Sequence, residues 1–342
     1  MVVDFHAHLM PPNYASVVQT VIRDAQRQDS LPWRLTCERI LTNVRMGDRV
    51  MSIDRRLEEM DTLGIEMQVL SLAAANVLSV NDDVDAELAK EANDGLAEAV
   101  GRYPSRFVGL ATLPIGDVDR AIAELDRAVD HLGLRGVILG ASHRGAPLDS
   151  QRLAPLYERI HRRALPVLVH PTMPPGLEQM QAHNLESSVG YLFETTLAVA
   201  RMALDGVFEK FPNMRVVVPH LGGAIPFIQA RIDNAFNRRP ESERNISKAP
   251  SEYFKRLYFD CVSSYGPAVA YTIEFAGARH LVFGSDMPHT VGGEPGQLLG
   301  ILNSLPSESR RAISSENATR ILGIDQFNVG AKHSLHSTDD IL

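Results

Sequence analysis

Apolar residues along the chain fall into short continuous runs separated by longer stretches with helical spacing. Eight runs are rich in β-branched side chains: Val2–His6, Met67–Leu72, Phe107–Leu113, Gly136–Leu139, Pro166–His170, Arg215–Pro219, Leu257–Cys261 and Leu281–Gly284. Runs hydrophobic at nearly every position suit strands buried on both faces of a parallel sheet. Helical patterns between them cover Asp83–Arg102, Asp117–Leu132, Asp149–Arg163, Ser188–Lys210, Ala224–Asn237 and Pro267–Ala276. Eight alternations of this kind predict a closed (β/α)8 TIM barrel rather than an open doubly wound sheet. No Gly-x-Gly-x-x-Gly joins a strand to a helix, which argues against a dinucleotide fold.

The first connection, from Leu9 to about Ile53, is unusually long and carries the single tryptophan, Trp33. Loops at the C-terminal face of a barrel build its site, so this insertion is expected to cover the active site or to form a dimer contact. After Ile324 the pattern dissolves, which predicts one barrel domain over residues 1–324 and a loose tail over 325–342.

Composition narrows the function. The 342 residues are 44% hydrophobic and 22% charged, with a formal net charge of −8 and an isoelectric point near 5.8. That balance argues against nucleic-acid and anionic-membrane partners, which need basic patches. It leaves an anionic substrate to be met by a metal or by particular arginines. Two cysteines, Cys37 and Cys261, make no disulfide framework. With no secretory pattern at the start and no run long enough to span a membrane, a reduced cytoplasmic protein is expected.

Polar residues at the strand ends carry the chemistry. In Val2-Val3-Asp4-Phe5-His6-Ala7-His8, residues i and i+2 of a strand face the same way, so His6 and His8 point together. The fifth run closes on His170, the sixth on His220 followed by two glycines, and the eighth on Asp286. A lone histidine of this kind is usually a satisfied core residue and a lone aspartate a helix cap. Four strand ends meeting on one rim define a metal site instead. His6, His8, His170 and Asp286 are the natural ligands, with one coordination position open to water, and His220 is the candidate for acid–base work. The fourth strand end, Gly140-Ala141-Ser142-His143, has no lysine to bridge a second ion, so one divalent metal is expected: zinc first, with manganese or iron possible. His143 is expected on an exposed loop. No Gly-x-Ser-x-Gly elbow is present, and Ser285 is read as shaping the turn that carries Asp286.

These motifs resemble the amidohydrolase superfamily, and within it the decarboxylase-like branch typified by aminocarboxymuconate-semialdehyde decarboxylase. They are Asp4-Phe5-His6-Ala7-His8, Leu168-Val169-His170-Pro171, His220-Leu221-Gly222-Gly223 and Phe283-Gly284-Ser285-Asp286-Met287-Pro288. His-x-His on the first strand sides with the aminocarboxymuconate type and with hydrolase relatives; the γ-resorcylate and 5-carboxyvanillate enzymes use Glu-x-His there. The resemblance implies one metal on His6, His8, His170 and Asp286, and a catalytic His220. It also implies a homodimer in which Arg231, eleven residues after His220, reaches the partner's bound carboxylate. Arg49 or Arg45 would match a second substrate arginine from the first long loop. The expected activity is non-oxidative decarboxylation of an aromatic or unsaturated, muconate-type acid, with Asp286 sharing the proton transfer. The alternative is hydrolysis of a C–C bond, lactone or amide by a metal-activated water. A purely structural metal site is disfavoured, because such sites are closed by four ligands, usually including cysteine. Met173, Pro174 and His289–Val291 are expected in the pocket wall, and Asn76 and Tyr191 are further candidates for choosing the substrate.

Overall fold

A computed structural model of the chain describes residues 1–24, 30–72 and 81–324. Eight parallel strands form among them: β1 (Val3–Leu9), β2 (Met67–Leu72), β3 (Phe107–Gly109, resumed at Ala111–Thr112), β4 (Val137–Gly140), β5 (Pro166–His170), β6 (Arg215–Val218), β7 (Tyr258–Asp260) and β8 (Leu281–Val282). They pair in sequence order from β1 to β8. The ring closes where Phe5 N–H donates to the Phe283 carbonyl at 2.8 Å and His8 N–H to the Met287 carbonyl at 2.7 Å. This is the (β/α)8 barrel that the alternation predicts.

Side chains alternate between two apolar layers. Phe5, Val69, Ile138, Leu168 and Val217 join one cluster with Ala318, Ile321 and Leu322 of the last described helix. Their neighbours Leu70, Leu139, Val167, Val169 and Val218 pack on helical residues such as Leu96, Leu125 and Ile160. The register of β1 against β2 shifts between Asp4 and Ala7. Such a bulge re-aims side chains, and here Phe5 joins the first cluster while His6 and His8 still converge on the site.

The first connection is helical, not a loop. It folds as Pro12–Asp24, Leu31–Arg45, Asp48–Met51 and Ile53–Leu63. Ser30 caps the second helix by accepting from Trp33 N–H, and Pro32 sits at its start, where a missing N–H costs nothing. The expected Ser188–Lys210 helix begins as a π-helical turn, Glu186–Gly190, continues as Tyr191–Leu204, and resumes as Val207–Lys210 after a break at Gly206, whose φ is 79°. Asn76 and residues 325–342 lie outside the described residues. Among the described ones, no helix is long and apolar enough to cross a membrane.

Candidate metal centre

One donor atom from each of His6, His8, His170 and Asp286 lies within 4.8 Å of the others. His6 Nε2 is 3.0 Å from His8 Nε2, and Asp286 Oδ1 is 3.1 Å from His8 Nε2 and 3.4 Å from His6 Nε2. Donors around a tetrahedral zinc sit about 3.4 Å apart, given metal–nitrogen bonds of roughly 2.1 Å. The three separations among His6, His8 and Asp286 are close to the edges of such a shell.

The outer nitrogens fix the inner ones. His6 Nδ1 is 2.6 Å from Asp260 Oδ2, His8 Nδ1 is 3.0 Å from Ser71 Oγ, and His170 Nδ1 is 2.9 Å from the Pro171 carbonyl. Each partner takes the Nδ1 proton, which leaves an Nε2 lone pair turned inward. His170 Nε2 is buried and has no hydrogen-bond partner. An orphaned acceptor beside two more lone pairs and a carboxylate is a cation site, and the donor set fits one divalent metal.

Burial and charge divide the titration unevenly. Burial pulls His8 down to about 4 and, with its imidazole neighbours, holds His170 well below the usual histidine range. Burial also opposes charge on His6, but Asp286 and Asp260 outweigh it and raise His6 to about 9. Asp286 stays ionised: burial works against it, yet His6 and the bonds from His220 and His8 hold it well below the carboxylate range. In metal-free protein at neutral pH, His6 therefore carries a proton that a cation must displace. Chelator competition should show apparent metal affinity rising about tenfold per pH unit below pH 9 and levelling above it. A flat profile from pH 6.5 to 9 would overturn this assignment.

His220 sits beside the cluster, its Nε2 3.5 Å from Asp286 Oδ2 and its buried Nδ1 without a partner. The backbone that delivers it is unusual: His220, Leu221, Gly222 and Gly223 all have positive φ, between 54° and 78°. Cβ atoms on the two glycines would lie 2.6 Å from the Phe259 ring and 2.4 Å from the Leu192 carbonyl, so only glycine fits.

Beneath the floor lies a buried polar layer. Asp4 accepts from Ser285 N–H, Ser285 Oγ and Gln68 Nε2, and burial raises its pKa to about 6 against those bonds. Arg56, 1% exposed, donates to Gln68 Oε1 and to the His8 carbonyl. Ser285 Oγ also accepts from Met287 N–H, as expected of a residue shaping the turn before Pro288.

Above the cluster opens a cavity of about 770 Å3, lined by His170, His220, Asp286, His289, Tyr191 and Tyr271, among others. Helix Leu31–Arg45 supplies Arg39, Thr42 and Asn43 to its wall, and Met46 follows at the helix's C-terminal end. The insertion therefore does cover the site. Arg39 donates to the Thr172 carbonyl at 3.0 Å, pairs with Glu186 and lies 4.8 Å above the Tyr191 ring.

The other expected residues lie as follows. Arg49 is exposed and lines a separate depression with Arg55, Glu59 and Pro288, and Arg45 is exposed and bonded to Thr42. The arginine that the insertion brings to the cavity is Arg39. Arg231 is exposed on helix Ile225–Asn237 and does not line the cavity of its own chain. His143 is buried, not exposed, with Nε2 3.8 Å from Asp85. Of the expected wall residues, His289, Val291 and Tyr191 line the cavity; Met173, Pro174 and Thr290 do not. Asp260, which holds His6, the His220 N–H and the Val262 N–H together, was not singled out by the motifs. The signal was present, since Asp260 closes an apolar run as His170 and Asp286 do.

A parallel barrel with imidazoles and a carboxylate converging at its C-terminal rim defines the class of metal-dependent amidohydrolase-type barrels. The family model for the amidohydrolases matches residues 3–324, and the chain belongs to that family, in its aminocarboxymuconate-semialdehyde decarboxylase-like branch. It is 29% identical over 331 residues to a 2-amino-3-carboxymuconate-6-semialdehyde decarboxylase of Dictyostelium discoideum, covering 94% of this chain and 92% of that one. It is 33% identical over 264 residues to a γ-resorcylate decarboxylase of Polaromonas sp., covering 71% and 79%. Among solved structures, 5-carboxyvanillate decarboxylase from Sphingomonas paucimobilis superposes with a TM-score of 0.83 at 26% identity, covering 95% of this chain and 99% of that one.

Proposed function

We propose that the protein is a metal-dependent decarboxylase of aromatic or muconate-type carboxylic acids. In this reading residues 1–324 are the catalytic domain, and His6, His8, His170 and Asp286 hold one zinc. The observation that carries the reading is the set of inward Nε2 atoms beside Asp286 on the floor of an aromatic-lined cavity, with His220 adjoining. A divalent cation there supplies Lewis-acid stabilisation of charge developing on the substrate's oxygens.

The chain's own residues move the proton. His220 Nε2, 3.5 Å from Asp286 Oδ2, is placed to pass a proton between that carboxylate and the substrate. His220 delivers that proton to the carbon bearing the carboxylate; the C–CO2 bond then breaks, CO2 leaves, and its bonding pair remains on that carbon. Apolar and aromatic walls exclude water and orient the ring or diene.

Among the described residues that line the cavity, Arg39 is the single Lys or Arg, and its guanidinium donates to the Thr172 carbonyl and pairs with Glu186. Recognition of the substrate's second carboxylate falls to Arg231 of a second subunit in this reading. Phe227, four residues before Arg231 on the same helix, lines the cavity and is 82% exposed; Tyr265, which also lines it, is 66% exposed. A self-complementary contact would cover them, and sedimentation at micromolar concentration should report a dimer. A monomer would remove Arg231 from the site.

The deciding experiment incubates the metal-loaded protein with hydroxylated benzoic and muconate-type acids and measures CO2. Release of CO2 with the decarboxylated product supports the reading. Turnover without CO2 would favour hydrolysis.

A further inference from the structure

We propose that Glu194 is a positioning residue for the metal centre: by accepting from the Thr172 N–H it sets the Pro171–Thr172 peptide plane, and with it the carbonyl that holds His170 Nδ1. The proposal rests on the metal reading of the histidine cluster and adds the carboxylate that orients its third imidazole.

The three imidazoles are not held alike. His6 is fixed by the Asp260 carboxylate and His8 by the Ser71 hydroxyl, whereas His170 Nδ1 donates to a main-chain carbonyl, that of Pro171, at 2.9 Å. A carbonyl is only as well placed as the peptide that carries it. Pro171 and Thr172 lie past the end of β5, beyond its last pairing with β4, Gly140 opposite His170. The sheet ladder therefore does not hold this peptide.

Glu194 supplies what the ladder does not. Its Oε2 accepts from Thr172 N–H at 2.6 Å, and that N–H shares one peptide group with the Pro171 carbonyl. The group is planar, and in its trans form the two bonds point in opposite directions, so fixing the N–H fixes the C=O. A continuous path results, from carboxylate through peptide to imidazole, doing at one remove what Asp260 does directly for His6. Successive bonds in such a path also polarise one another, which strengthens the carbonyl's hold on the His170 proton.

The carboxylate is itself prevented from turning. Its other oxygen, Oε1, accepts from Thr172 Oγ1 at 2.7 Å and from Ser142 Oγ at 3.0 Å. Glu194 sits on helix Tyr191–Leu204 and is 3% exposed. Burial pushes its carboxyl up, and the bonds from Thr172 and Ser142 oppose that. A carboxylate this deeply buried is costly to keep, and here its bonds converge on the turn that follows a candidate ligand.

The test uses the full chain with zinc as the probe. Glu194→Ala and the bulkier Glu194→Met lose the acceptor; Glu194→Gln keeps an amide oxygen for the Thr172 N–H, and Thr172→Val loses only the hydroxyl. Circular dichroism checks the fold of each variant. The zinc dissociation constant, by chelator competition, should rise about 10- to 100-fold in Glu194→Ala and Glu194→Met, and stay near wild type in Glu194→Gln and Thr172→Val. Proton NMR of protein with isotope-labelled histidine reads the cause. The His170 Nδ1–H signal, assigned by its loss in His170→Ala, should shift upfield or exchange away in Glu194→Ala and Glu194→Met, with the His6 signal unmoved. An unchanged dissociation constant in folded Glu194→Ala or Glu194→Met, an equal loss in Glu194→Gln, or movement of His6 in step with His170 would overturn the proposal. Should wild type bind no zinc, the metal reading fails, and the His170 signal in metal-free protein then decides Glu194 alone.

Discussion

His220→Ala should reduce kcat by about 100- to 10,000-fold, the range for removal of a positioned acid or base, while metal content stays near that of wild type. The ring is not one of the four converging donors: its Nε2 lies 3.5 Å from Asp286, and it packs edge-on against the rings of His6 and His170. Its removal takes away the proton source and leaves the imidazoles and their Nδ1 partners in place. Metal analysis of the purified variant and single-turnover assays check the two halves together. If the metal leaves with the side chain, His220 is a ligand and the proton must come from elsewhere.

The second large effect is expected at Asp260, which touches no substrate. Asp260→Ala should weaken metal affinity by about 10- to 100-fold, the usual result of losing the group that orients a metal-bound histidine. One carboxylate oxygen holds His6 Nδ1 at 2.6 Å and the other accepts the His220 and Val262 N–H groups. The substitution therefore frees a ligand's tautomer and loosens the left-handed turn bearing His220. Saturating metal should restore occupancy but only part of kcat. Titration of metal into the apoprotein, followed by assay at saturation, separates the two losses. Full recovery of kcat would confine Asp260 to orienting His6.

Much of this was legible in the sequence because barrel strands announce themselves as apolar runs and candidate ligands interrupt those runs at their ends. His6, His8, His170, His220 and Asp286 each break an apolar pattern at one height, and a closed sheet brings that height to one rim. What stayed hidden depends on relations between elements. Arg39 could be chosen over Arg45 and Arg49 only by knowing that residues 31–45 are a helix and which side faces inward. Read from sequence alone, the insertion offers six arginines without an orientation. His143 reads as a loop residue because it lies just past a strand, but a short antiparallel pair, Ser142–His143 with Ala146–Pro147, folds it against Asp85. Asp260 was passed over because a carboxylate that serves a histidine looks in sequence like one that serves a metal.

The insertion divides the labour of the molecule in a way that bears on its evolution. Floor residues sit at the ends of β1, β5, β6, β7 and β8, and Asp4, Gln68 and Arg56 bond beneath them, whereas the stripe of Arg39, Thr42 and Asn43 in the wall belongs to one fifteen-residue helix. Drift in that single segment can shift the range of acids accepted and leave the reactive apparatus undisturbed, so lineages with an identical metal cradle are free to diverge in diet.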